Sequence, residues 1–246
     1  MSSEGKAVVT GAASGIGRAA ARRIASEGLD VIAVDLPGRP LEALADEGFE
    51  ILGADLATAE GRDAVVEAGA RARTLVNSAG IIRLKPILDF GVADIHQIFA
   101  VNVDAVWDLT SRIGRSMRKG GAIVNLSSSS AKLAATTEAA VYAASKAAVL
   151  SITRSFAYAF APDGVRVNAL CPGIVETPMQ EEVVSKAAAV RGLTPEELSK
   201  ARTASVPLGR ASTPDECANL IWFLVSEESA YMTGQAINFT GGMVMH

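Results

Sequence analysis

Tyr142 and Lys146 stand four residues apart in Tyr142-Ala-Ala-Ser-Lys146, within a strongly helix-forming run, so their side chains share one helix face. A phenol is a poor base near neutral pH. A neighbouring ammonium favours the phenolate and lowers its pKa toward the working range. The pair is therefore a candidate for general acid/base chemistry, with Tyr142 exchanging the proton. The same spacing also describes a packed ring beside a solvated lysine, so the rest of the chain must decide between the two.

A second constellation is Thr10-Gly11-Ala12-Ala13-Ser14-Gly15-Ile16-Gly17, which follows a β-branched run and opens a helical one. Gly11, Gly15 and Gly17 permit close backbone approach, while a helix starting near Ser14, Gly15 and Ile16 offers free N–H groups and a positive dipole to a pyrophosphate. Between a first strand and a first helix, this cluster reads as a dinucleotide site. Asp35 ends the next apolar run, 18 residues after Gly17. A carboxylate there accepts hydrogen bonds from a ribose diol and repels a 2′-phosphate, so the expected cofactor is NAD rather than NADP. Arg39 is the residue that could soften the preference.

These residues need a scaffold to hold them. The chain has 246 residues, 49% hydrophobic and 20% charged, enough for the sizeable core of an ordinary soluble domain. Its net charge of −4 argues against a nucleic-acid surface. The start, Met1-Ser2-Ser3-Glu4-Gly5-Lys6, runs straight into a strand, so no signal peptide is expected. No apolar run approaches the ~18 residues of a membrane helix. Cys171 and Cys217 are far apart and match no metal spacing, which fits a reduced, cytoplasmic protein with no metal site.

Short apolar runs alternate with longer Ala-rich ones. Strands are predicted at Lys6–Thr10, Asp30–Asp35, Glu50–Ala54, Arg73–Asn77, Ala122–Ser127, Val165–Leu170 and Ala236–Phe239. Helices are predicted near Gly15–Glu27, Pro40–Asp46, Ala59–Ala70, Gly91–Lys119, Ala139–Phe160 and Pro214–Ser226. The alternation implies a single α/β domain over residues 1–246, a Rossmann-like doubly wound parallel sheet of about seven strands with helices on both faces. Glu176–Arg210 stands outside the alternation, and so long an excursion in a compact domain is usually functional or disordered.

Together, Thr-Gly-x-x-x-Gly-x-Gly and Tyr-x-x-x-Lys resemble the short-chain dehydrogenase/reductase family over essentially the whole chain. Further stretches match in the same order. Asp55-Leu56 resembles the acidic pair that touches the adenine, and Asn77-Ser78-Ala79-Gly80 the Asn-Asn-Ala-Gly turn after the fourth strand, with Ser in its second position. Asn102 matches the helix asparagine of a proton relay. Pro172-Gly173-Ile174-Val175-Glu176-Thr177 resembles the loop that holds the nicotinamide, with Thr177 near its carboxamide. The stretch from Asp55 to Asn77 is short for the family, implying a trimmed third helix. Strand register within Ser127-Ser128-Ser129-Ser130 selects Ser128 as the catalytic serine, and the family's common spacing to the tyrosine keeps Ser129 as an alternative.

The resemblance implies that Tyr142 takes a proton from a substrate hydroxyl while Ser128 holds the oxygen. It also implies that Lys146 lowers the Tyr142 pKa and binds the nicotinamide ribose, that Asn102 supports a relay water, and that the protein is a homotetramer built through Gly91–Lys119 and Ala139–Phe160. The C-terminal stretch from Tyr231 is similar to the C-termini of sugar and polyol dehydrogenases, including those of the sorbitol-6-phosphate 2-dehydrogenase type. That likeness implies a polyhydroxylated substrate and a helical lid at Thr177–Pro207, with Thr194-Pro195-Glu196-Glu197 opening a helix. Glu176, Gln180 and Arg202 are expected to hydrogen-bond such a substrate. A reductase of 3-oxoacyl or other oxo compounds is the alternative enzyme, and a non-catalytic dinucleotide sensor is the alternative of another class.

Overall fold

The computed structural model describes residues 5–133 and 137–246. The start at Met1–Glu4, which bears on the signal-peptide expectation, lies outside them. Among the described residues seven parallel strands form one sheet in the order β3-β2-β1-β4-β5-β6-β7, made by β1 (Lys6–Thr10), β2 (Asp30–Asp35), β3 (Glu50–Gly53), β4 (Thr74–Asn77), β5 (Ala122–Leu126), β6 (Arg166–Pro172) and β7 (Ala236–Phe239). The helices α1 (Gly15–Ser26), α2 (Arg39–Asp46), α3 (Ala59–Ala68), α4 (Val92–Phe99), α5 (Ala105–Ser116) and α6 (Ala140–Phe160) connect successive strands up to β6. Strand order reverses between β1 and β4, the position where open α/β sheets bind ligands.

Successive side chains of a strand point to opposite faces, so continuous apolar runs serve two cores. Val9, Val124 and Leu170 pack with Ile24 and Ile221 on one face; Val8, Ile123 and Val167 pack with Leu109, Ile113 and Phe160 on the other. A chain of buried amides and hydroxyls crosses this second layer. Asn77 Nδ2 donates to Asn125 Oδ1 at 2.8 Å and Thr110 Oγ1 at 3.1 Å, and Asn125 Nδ2 donates to Thr153 Oγ1 at 3.0 Å. It fixes β4 and β5 against α5 and α6. Pairing Thr10 with Asn77, Asn77 with Asn125 and Leu126 with Leu170 aligns the strand ends into one edge.

Two stretches differ from the sequence expectation. Gly91–Lys119 is not one regular helix: α4 and α5 are joined by the π-helical turn Ala100–Asp104, and the helix ends at Ser116, where Met117 turns extended ahead of the positive-φ Gly120. The excursion after β6 holds two helices, α7 (Pro178–Arg191) and α8 (Pro195–Thr203), each with proline in its first turn and a threonine N-cap. Val184, Ala188 and Leu198 pack together between them as a small core. The chain then enters α9 (Pro214–Val225), which lies against α1. Among the described residues no helix is long and apolar enough to cross a membrane.

Candidate active site

At the aligned strand ends, Thr10 ties the first loop to the turn after β4. Its Oγ1 accepts from the Ser78 and Ala79 N–H groups, both at 3.1 Å. The approach is close enough to require glycine: a Cβ on Gly11, whose φ is +67°, would lie 2.8 Å from the Ala79 nitrogen, and one on Gly17 would lie 2.1 Å from the Gly11 oxygen. The first N–H groups of α1 lack intrahelical partners, and the exposed Ser14 side chain makes no capping bond. Asp35 is oriented by two backbone donors, Ala13 N–H at 2.9 Å and Leu36 N–H at 2.7 Å. These residues suit a dinucleotide: a close backbone cradle, unpaired donors and an outlying carboxylate.

The reactive end is built by β5 and α6. Ser127 Oγ donates to the Lys146 carbonyl at 2.8 Å, and Lys146 Nζ returns a bond to the Leu126 carbonyl at 2.7 Å. Next along, Ser128 Oγ accepts from the Ser130 N–H at 3.1 Å. The neighbouring Ser128 hydroxyl favours the Tyr142 phenolate, but burial is the larger influence and pushes the phenol up from its ordinary value. Burial likewise lowers Lys146 to about 8. Lys146 Nζ lies 5.7 Å from the Tyr142 ring centroid. Burial therefore sets the direction for Tyr142 in the chain itself, and Lys146 is not among the groups that shift it.

One cleft of about 320 Å³ collects most of the sequence-predicted residues: Gly11, Ser14, Gly15, Ile16, Gly17, Asp35, Asp55 and Leu56 on one side of the switch point, then Ala79, Gly80, Ser128, Tyr142, Lys146, Pro172, Gly173, Val175 and Thr177. Glu176 and Arg202, expected to meet the substrate, are not in its wall, and neither are Asn77 and Asn102. Asn77 is turned into the core, committed to Asn125 and Thr110. Asn102, fully buried on the π-helical turn, bonds Ile81 N–H and carbonyl and the Ser145 hydroxyl, all within 3.0 Å, so its side chain retains only one Oδ1 lone pair for a water. Gly80 separates it from the lysine: a Cβ there would lie 3.3 Å from both Asn102 Oδ1 and Lys146 Nζ. Ser129 is half-buried and outside the wall.

Leu36, Ile81, Val101, Pro178 and Met179 also line the cleft without having been singled out from sequence. Their side chains carry no reactive group, so only their place beyond strand ends, on the π-helical turn and at the start of α7 marks them. Thr177 caps α7, accepting from Gln180 N–H at 3.3 Å, and its methyl lies over Gly15, where a Cβ would meet it at 3.1 Å. Cys171 is fully buried and burial raises its thiol, as expected of a packed residue rather than a nucleophile. Among the described residues no three His, Cys, Asp or Glu side chains group to hold a metal ion.

Residues 11–244 match the family model described as enoyl-(acyl carrier protein) reductase. The chain is 34% identical to L-2,3-butanediol dehydrogenase of Corynebacterium glutamicum, over 97% of this chain and 98% of the relative. It is 36% identical to the 3-oxoacyl-[acyl-carrier-protein] reductase FabG of Thermotoga maritima over the full length of both. Among solved structures it resembles the aldohexose dehydrogenase of Thermoplasma acidophilum, with TM-score 0.87 and 29% identity over 98% of this chain and 94% of that one. A variant of actinorhodin polyketide ketoreductase with NADPH gives TM-score 0.90 and 31% identity over 98% and 97%. The names span a diol, an acyl thioester, a polyketide and a sugar, so they leave the substrate and the choice between NAD and NADP open. The chain is a member of the short-chain dehydrogenase/reductase family, an oxidoreductase of hydroxyl or oxo compounds that binds a nicotinamide dinucleotide.

Proposed function

We propose that this protein is an NAD-preferring dehydrogenase that moves hydride between the nicotinamide and a secondary alcohol of a sugar, sugar acid or polyol. The observation that carries the chemistry is that Ser128, Tyr142 and the buried Lys146 line the same cleft as Asp35. When bound, NAD supplies the hydride acceptor. Gly11, Ser14, Gly15, Ile16 and Gly17 would hold its pyrophosphate, Asp35 its adenosine ribose, Asp55 and Leu56 its adenine. Ala79, Gly80, Pro172, Gly173, Val175 and Thr177 would enclose the remainder, and the buried Asn77 supports that wall from behind.

Tyr142 takes the proton of the substrate hydroxyl. Ser128 Oγ accepts from the Ser130 N–H, which leaves its own hydrogen to donate to the reacting oxygen. The two ammonium hydrogens of Lys146 not committed to Leu126 are available to a ribose diol and to a relay water near Asn102. Lys146 and, when bound, an oxidised nicotinamide ring would each add positive charge that favours the phenolate, against the burial that raises Tyr142 in the chain alone. The helices of Thr177–Pro207 act as the lid.

The polyhydroxylated substrate is supported by the C-terminal resemblance and by the aldohexose dehydrogenase relationship. A panel of polyols, aldoses and sugar acids assayed for NADH formation tests it. Turnover confined to simple diols or 3-oxoacyl esters would replace it with the reductase reading that the FabG relationship favours.

A further inference from the structure

The lid carries an amide and a guanidinium whose pairing has a consequence for the substrate. Gln180, in the first turn of α7, lines the cleft. Its side-chain amide is satisfied only with the oxygen facing Arg202 of α8, accepting from Nη1 at 2.5 Å and Nη2 at 2.9 Å. The amide's other end, Nε2, then carries its two N–H donors and faces acceptors rather than donors. Gln180 is thereby fixed as a donor.

Arg202 itself is half-buried and has no carboxylate at ion-pair distance among the described residues. The charge nearest in effect is a like one, Arg191, and desolvation followed by Arg191 lowers the Arg202 pKa. Arg191 has Glu138 at 4.0 Å, whereas Arg202 has no such carboxylate among the described residues. A half-buried charge without a counterion is costly unless something anionic completes it. A donor-only amide polarised by a guanidinium favours an oxyanion over a hydroxyl.

We propose that Gln180, oriented by Arg202, is the specificity-determining contact of the lid, and that the substrate carries an oxyanion, a carboxylate or a phosphate ester, beside its reacting carbinol. Arg202 is a positioning residue and the source of the field; Gln180 makes the contact. The inference rests on the dehydrogenase reading above and narrows its substrate to acidic members.

The test compares kcat/KM for a neutral alditol, the corresponding aldonate and the alditol phosphate in the unmodified enzyme, Arg202→Met, Arg202→Lys and Gln180→Leu. A charge-assisted contact should favour an acidic substrate by about 10- to 100-fold. Arg202→Met and Gln180→Leu should each bring the acidic-to-neutral ratio to within a few-fold of one, mainly through KM, and Arg202→Lys should restore part of it. Whichever of aldonate and phosphate loses more identifies the oxyanion. A ratio unchanged in both variants overturns the inference while leaving the dehydrogenase reading intact. Should the whole panel remain unreacted, the proposed function fails. Binding of the same three compounds to the enzyme–NADH complex, read by nicotinamide fluorescence, then decides the inference separately: equal affinity for acidic and neutral compounds sinks it.

Discussion

Lys146 donates from Nζ to the carbonyl of Leu126 at 2.7 Å, fastening the middle of α6 to the last residue of β5 with a side chain only 4% exposed. Burial places its folded pKa at about 8 against an ordinary 10.5. Between those values the unfolded chain keeps a proton that the folded chain has released, so stability rises with pH across the window. The integrated effect is on the order of 3 kcal/mol. Tyr142 works in the opposite direction above its ordinary pKa of 10.0, because the folded phenol keeps its proton longer. Melting temperatures without ligand should therefore rise from pH 7.5 to 9.5 relative to Lys146→Met. A parallel pair of pH curves would contradict the buried ammonium.

Tyr142→Phe keeps the ring and removes the hydroxyl that exchanges the proton. Turnover should fall by about 10²-fold or more while NADH binding survives. Ser128→Ala should cost more turnover than Ser129→Ala, since Ser128 lines the cleft with Tyr142 and Ser129 lies outside its wall. Steady-state kinetics of the three variants check this, and the reverse order for the serines would move the substrate oxygen to Ser129.

Asp35 sets the predicted cofactor preference through its carboxylate, held at the cleft by Ala13 and Leu36 N–H. NAD should give the higher kcat/KM, and Asp35→Ala should narrow the gap by removing repulsion of a 2′-phosphate. Arg39, exposed and without an ion-pair partner among the described residues, would then favour NADP. Equal efficiency with both cofactors in the unmodified enzyme would reject the assignment.

Assembly is expected through α4, α5 and α6. Trp107 of α5 is 53% exposed and meets Phe156 of α6 edge-on at 5.0 Å, an aromatic surface suited to a symmetry mate. Light scattering should return a tetramer, and Trp107→Glu should dissociate it by placing a charge in the contact. A monomer at working concentration would rule this out.

The lid should exchange amide hydrogens faster alone than with NADH and a substrate analogue. Its own core is three residues, and Val206 packs against the positive-φ Gly241 at its far end, where a Cβ would be 2.5 Å from the valine. Hydrogen exchange across 177–207 in both states measures the difference. Equal protection would leave the segment a fixed part of the surface.

Much was legible in the residues themselves. The strands follow from apolar runs and the helices from the alternation around them, because parallel strands buried on both faces must be continuously apolar. The glycine loop, Asp35 and Tyr142/Lys146 could be found by local spacing, since a cradle for phosphate and a shared helix face are short-range requirements. Other features depended on contacts remote in sequence. The π-helical turn that presents Asn102 to Ile81 and Ser145 has no local sequence signal that could be distinguished from ordinary helix. Asn77 reads as a wall residue in its motif, yet Asn125, 48 positions away, draws its amide into the core. Burial reversed the expected direction of the Tyr142 shift, because the solvent excluded from a side chain depends on every element packed over it. The pairing of Gln180 with Arg202 likewise needed two helices folded against each other before either residue had a defined orientation.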